Sequence, residues 1–159
     1  MNKNLPILIK EKSDKGVLRL TMNDLACKNA LSNKMLSTLL DEIKNASIDK
    51  SIKVIVLTAN GDVFSAGHDL KELKEARNNS DEGKVFFQEL FNLCSSLMQL
   101  IINVPQPIIA EIDGVATAAG CQLVASCDLA YSTSDALFAT PGVNIGLFCS
   151  TPMVAVSRK

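Results

Sequence analysis

The sequence predicts an α/β protein built of crossover units, and three observations lead there. Val54–Thr58 and Ile108–Ile112 are short, unbroken apolar runs, the pattern of parallel strands buried on both faces. Asn33–Ala46 and Glu82–Asn103 instead repeat their apolar residues at helical spacing. Each strand run also leads into a segment of small residues that opens a further helix, Phe64-Ser65-Ala66-Gly67-His68-Asp69-Leu70 and Asp113-Gly114-Val115-Ala116-Thr117-Ala118-Ala119-Gly120-Cys121. Strand and helix in alternation make a crossover architecture.

The elements follow in order. Ile7–Glu11 and Val17–Met22 are β-rich runs around Ser13-Asp14-Lys15-Gly16, and so predict a hairpin. Ser32 is placed to cap Asn33–Ala46, whose Met35, Leu36, Leu39, Leu40 and Ile43 form one apolar stripe. Asn60-Gly61 turns the chain before the first small-residue segment. An exposed helix over Asp69–Arg77 ends at Asn78-Asn79-Ser80, and the long helix begins after a cap at Ser80 or Asp81. Pro105 and Pro107 stop that helix. After Ile108–Ile112, a helix is predicted over Thr117–Ser126 and short strands over Asp128–Ser132 and Leu137–Thr140. The stretch from Pro141 to Ser150 is a loop. Met153–Lys159 begins a helix and stops, so the chain is expected to be cut short. With no linker or repeat, residues 1–159 are taken as one domain.

Composition excludes several classes. The 159 residues are 47% hydrophobic and carry a net charge of −1, with no basic cluster, so no nucleic-acid partner is expected. Five cysteines without a C-x-x-C spacing and one histidine offer no metal site. The cysteines lie in or beside apolar runs, as buried thiols do, and a reducing, cytosolic compartment is expected. Met1-Asn2-Lys3-Asn4-Leu5-Pro6 has no apolar stretch of a signal peptide, and no presequence is expected. The longest apolar candidate, Leu97–Ile112, is broken by Asn103, Pro105 and Pro107, so no membrane span is expected.

The small-residue segments carry the chemistry. A strand-to-helix turn can aim free backbone N–H groups at a developing negative charge, and two such turns converging make an oxyanion hole. Small residues let the backbone itself come within hydrogen-bond reach. The strings Phe64-Ser65-Ala66-Gly67-x-Asp69-Leu70, Pro107-x-Ile109-Ala110-x-x-x-Gly114 and Ala119-Gly120-Cys121-x-Leu123-x-x-x-Cys127-Asp128 resemble the enoyl-CoA hydratase/isomerase (crotonase) superfamily. So do Asn29-Ala30-Leu31 upstream and Phe138-x-x-Pro141-x-x-x-x-Gly146 downstream. The stretch from Phe138 to Pro152 is closer still to one branch of it.

The resemblance implies a ClpP/crotonase-like spiral of ββα units, here truncated before the C-terminal helices. It implies an acyl-CoA thioester as ligand, coenzyme A entering with the substrate and no separate cofactor. Homotrimers or hexamers are implied as well. The backbone donors would be Ala66 and Ala119, the segment Ala66-Gly67-His68-Asp69 with Gly120 would line the coenzyme A path, and Lys28 would lie near its phosphates. Gln122 and Gly142 stand where hydratases carry two glutamates. Water addition needs a carboxylate and an acid, so ordinary hydratase activity is not expected. Two functions follow: a hydratase- or isomerase-class enzyme that needs only enolate stabilisation, or a non-catalytic acyl-CoA-binding protein. Restoring both glutamates, Gln122→Glu with Gly142→Glu, is expected to raise hydratase activity. His68 is weighed as a general base and read as a variable, solvent-facing position. Asp69 is read as a helix cap, Asp128 as a ligand of backbone, and Glu111 and Asp113 as strand-end residues. Ser65 with His68 lacks the elbow of a nucleophilic hydrolase. Phe86, Phe87 and Phe91 are read as core or a partner face.

Overall fold

In the computed structural model, which describes residues 6–159, two mainly parallel sheets are wound together by helices. Met1–Leu5, on which most of the presequence expectation rests, lie outside the described residues. The chain enters through the predicted hairpin, β1 (Leu8–Lys12) antiparallel to β2 (Val17–Met22), its turn closed by the Gly16 N–H on the Ser13 carbonyl at 3.0 Å. Beyond it come β3 (Val54–Ala59), β5 (Ile108–Ile112) and β7 (Leu129–Ser132), all parallel, giving a five-stranded sheet in the order β1-β2-β3-β5-β7.

A second sheet was not expected. Strands β4 (Val63–Ser65), β6 (Val115–Thr117) and β8 (Leu137–Ala139) pair in parallel in the order β4-β6-β8. Two of these strands open the small-residue segments, which begin as strand and not as turn. Three residues are too few to show a period of two. Each repeat thus gives one strand to each sheet and then a helix: β3-β4 with α2 (Leu70–Ala76) and α3 (Lys84–Asn103), β5-β6 with α4 (Ala119–Ser126), and β7-β8 with α5 (Ser150–Val156).

Local chemistry sets the helix boundaries. Ser32 caps α1 (Asn33–Ile48), its Oγ accepting the Met35 N–H at 3.1 Å, and the stripe Met35, Leu36, Leu39 and Ile43 is fully buried. Each such side chain contributes about 1.5–3 kcal/mol. Helix α3 starts two residues later than predicted, because Glu82 (φ 56) and Gly83 (φ 83) stand in left-handed backbone. Asp81 still serves its start, accepting the Gly83 and Val85 N–H groups at 3.0 and 2.9 Å. By length and composition α3 is apolar enough to cross a membrane, with a mean hydropathy of 1.4 over its best window, contrary to expectation. It lies against α1 and α4, burying Leu90, Cys94, Leu97, Met98 and Ile101. The predicted loop after Thr140 is a short 3-10 turn over Pro141–Ile145.

The connection from β2 to α1 is held by Asn29, buried and in left-handed backbone (φ 49). Its Nδ2 donates to the Asn60 and Val63 carbonyls at 2.9 and 2.7 Å, and its Oδ1 accepts the Asp24 N–H at 2.8 Å. This side chain fixes residues 28–31 against the start of the first small-residue segment.

Candidate functional site

The first segment leaves β4 and is pinned to residues 28–31. The Ala66 N–H donates to the Lys28 carbonyl at 3.1 Å, and the Gly67 carbonyl accepts the Leu31 N–H at 2.7 Å. Asp69 then caps α2, accepting the Lys71 N–H at 2.8 Å, as read from the sequence. The second segment leaves β6. Thr117 Oγ1 donates to the Ala66 carbonyl at 3.0 Å and ties the two segments together. Ala118 follows at φ 49, ψ −120, its N–H on the Ala139 carbonyl at 2.9 Å. Such backbone costs an ordinary residue about 1–3 kcal/mol and turns the next amide away from the strand direction. Ala119, the first residue of α4, is one of that helix's orphan donors.

Backbone meets backbone where the segments touch. A Cβ on Gly67 (φ 83) would stand 3.0 Å from Ala118 Cβ and 3.2 Å from the Ala119 nitrogen. One on Gly120 would stand 2.6 Å from the Ser65 carbonyl oxygen. The small residues are there because nothing larger fits between the two turns.

One expected donor fails. The Ala66 N–H is spent on Lys28, so it cannot also serve as a donor to a ligand. Two residues on, the His68 N–H meets no acceptor among the described residues, and neither does the Ala119 N–H. Both residues line a cavity of about 1100 Å³, together with Ala66, Ala118, Gln122 and Gly142. Phe91, Cys94 and Met98 of α3 form another wall. Of the other expected residues, Gly67 and Gly120 stand behind that wall, Asp69 is occupied as a cap, and Lys28 is exposed with its carbonyl taken by Ala66.

His68 is not solvent-facing. Its ring is half-buried and meets Phe91 edge-on, centroids 5.4 Å apart at 74°. Burial holds its pKa below the ordinary imidazole value, the Leu31 carbonyl opposing. Phe91, read as core or partner face, thus belongs to the cavity. The sequence signal for this pairing is weak, since the two residues sit on different elements. Burial pushes the Cys94 thiol up to about 11. Asp128 is the backbone ligand that the sequence suggested, its Oδ2 accepting the Ile108 N–H at 2.7 Å. Glu111 and Asp113 are strand-end residues as read, Glu111 pairing with both terminal nitrogens of Arg19 at 2.6 and 3.1 Å and Asp113 accepting Thr133 Oγ1. Among the described residues no group of three His, Cys, Asp or Glu side chains is placed to hold a metal ion.

Gly142 has no room for the glutamate of the expected double substitution, so that half of the expectation is corrected. A Cβ there would lie 2.6 Å from Cys149 Sγ and 2.7 Å from the Leu147 carbonyl oxygen. Gln122 alone is a position where a carboxylate can be restored.

Parallel ββα repeats wound into a spiral, with two small-residue turns meeting at a cavity, define a crotonase-fold protein. The chain belongs to the enoyl-CoA hydratase/isomerase family, which matches it over residues 12–158. It is 48% identical over 147 residues to the mitochondrial enoyl-CoA hydratase domain-containing protein 3 of Xenopus laevis, covering 92% of this chain and 48% of that protein. With its Mus musculus counterpart it shares 47% over 153 residues, 96% of this chain and 49% of the relative. The crystal structure of human enoyl Coenzyme A hydratase domain-containing protein 3 superposes with a TM-score of 0.87 at 44% identity, covering 96% of this chain and 58% of that one. These are the branch to which Phe138–Pro152 points. The chain spans about half the length of the curated relatives it matches. The expected cytosolic compartment is overturned, because these curated relatives are named as mitochondrial.

Proposed function

We propose that the cavity binds an acyl-CoA thioester, with the thioester oxygen between the N–H groups of His68 and Ala119. The observation that carries this reading is the meeting of the two turns, with the Ala119 nitrogen 3.2 Å from a Gly67 Cβ position and both free amides on one cavity wall. Family membership supports the ligand class. Charge that grows on that oxygen as an enolate forms is stabilised by preorganised donors, and one such donor is worth about 3–4 kcal/mol. The positive end of α4 adds to the field at that point. The names of the relatives support a mitochondrial setting in acyl-CoA metabolism.

A non-catalytic binding role is the second reading, favoured by Gln122 and by the closed space at Gly142. Turnover of a panel of acyl- and enoyl-CoA thioesters, followed as hydration, isomerisation or C2 proton exchange, separates the two readings, any of these supporting an enzyme and binding with none of them supporting a binding protein. The binding site itself is tested with Ala119→Pro. Proline is tolerated at the first helical position, removes the N–H and fills the point it faces. Titration calorimetry with butanoyl-CoA is expected to show affinity falling about ten-fold or more in this variant, a loss of about 1.4 kcal/mol. Unchanged affinity in a variant whose circular dichroism matches the parent overturns the placement.

A further inference from the structure

We propose that the His68 imidazole is the proton-transfer group of this cavity, taking a proton from C2 of a bound acyl-CoA thioester and returning it. The inference rests on the reading above, that the cavity takes such a thioester. His68 is the single histidine of the chain. Its Nδ1 is sealed from solvent and makes no hydrogen bond of ordinary geometry, one of only two such side-chain atoms among the described residues, the other being Gln106 Oε1, although the Leu31 carbonyl acts on the ring. Buried polar atoms are nearly always paired, and an unpaired one costs about 1–3 kcal/mol. A ring held this way by Phe91 is positioned for something other than stability. With Nδ1 sealed, the transfer is assigned to Nε2 of this cavity-lining residue.

Four other groups on the wall, Cys94, Asp128, Cys149 and Gln122, are unsuited to this work near neutral pH. The Cys94 thiol, pushed up to about 11, keeps its proton. The Asp128 carboxylate holds the Ile108 N–H at 2.7 Å. The Cys149 sulfur is packed against Gly142, and the Gln122 amide exchanges no proton in this range. Burial favours the neutral imidazole, the form that accepts a proton. Position agrees with chemistry. His68 also supplies one of the two main-chain donors assigned to the thioester oxygen, so its ring stands within one side-chain length of the carbon next to that carbonyl.

In the step, the C2–H bond breaks and its proton goes to Nε2. The bonding pair moves through the carbonyl carbon onto oxygen, giving an enolate held by the two amides and an imidazolium beside it. Return of a proton to C2 restores the thioester, so no oxidant, reductant or second substrate is consumed.

The test uses the full chain in D₂O with butanoyl-CoA, following loss of the C2 methylene signal by proton NMR and measuring affinity by calorimetry on the same samples. The parent is expected to exchange these protons above the buffer rate. His68→Gln is expected to bind butanoyl-CoA and to lose about 100-fold or more of that exchange. Added imidazole is expected to recover part of it in His68→Ala. Should His68→Gln lose binding, the imidazole experiment decides, recovery supporting the proposal and its absence overturning it. Exchange unchanged in His68→Gln, or a parent that binds butanoyl-CoA without exchange, overturns the role of His68. A parent that does not bind butanoyl-CoA overturns the thioester reading instead.

Discussion

Ala118 carries backbone strain at the rim of the cavity, at φ 49, ψ −120, in a position where glycine sits without cost. Replacing it with glycine relieves about 1–3 kcal/mol in the folded state and adds about 0.4–1 kcal/mol of unfolded-state entropy. Relief is the larger of the two. Ala118→Gly is therefore expected to raise the melting temperature by about 2–4 °C in a chain of this size, read by calorimetry. A lower melting temperature contradicts the strain. Single residues were legible in the sequence where their partners are local: Ser32 and Asp69 cap helices three and two residues ahead. Where the partner is distant they were not. The fate of the Ala66 amide depends on a carbonyl at Lys28, and nothing near Ala66 announces it. The side of His68 that faces Phe91 is hidden for the same reason.

At the scale of elements, the join between α1 and β3 is electrostatic and exposed. Asp49 accepts hydrogen bonds from the Ser51 hydroxyl, from Lys12 Nζ and from the Ser51 N–H, and in that order these draw its pKa down to about 2 from an ordinary 3.8. A carboxylate with a depressed folded pKa stabilises fully above its unfolded value and loses that contribution as pH falls through the folded one. Asp49→Asn is thus expected to flatten the acid dependence of the melting temperature between about pH 4 and pH 2, measured at low salt because the group is solvent-screened. A slope unchanged from the parent contradicts the assignment. The long elements were legible: β3 and β5 as unbroken apolar runs, α1 and α3 as apolar stripes. The second sheet was not, because β4, β6 and β8 have three residues each and sit inside segments whose small residues look like turn.

Across the whole molecule, burial is uneven. Leu20, Leu36, Leu57 and Phe64 are sealed in the core, while Leu129, Tyr131, Leu137, Phe138 and Phe148 of the C-terminal part are each at least half exposed. An apolar face of this extent favours self-association. Sedimentation is expected to show species heavier than the 17.1 kDa monomer, reduced by Tyr131→Lys with Phe138→Glu. A parent that stays monomeric at every concentration contradicts this. The spiral was legible through the order of its motifs, whereas the compartment was not, since charge and cysteine usage carry no address. In the proposed site the His68 and Ala119 amides together polarise a thioester carbonyl. Infrared difference spectroscopy of butanoyl-CoA labelled with ¹³C at that carbonyl tests it most directly. The bound C=O stretch is expected at lower frequency in the parent and restored toward the free value in Ala119→Pro, whereas a bound stretch equal to that of free butanoyl-CoA in water means that the two amides do not hold that oxygen.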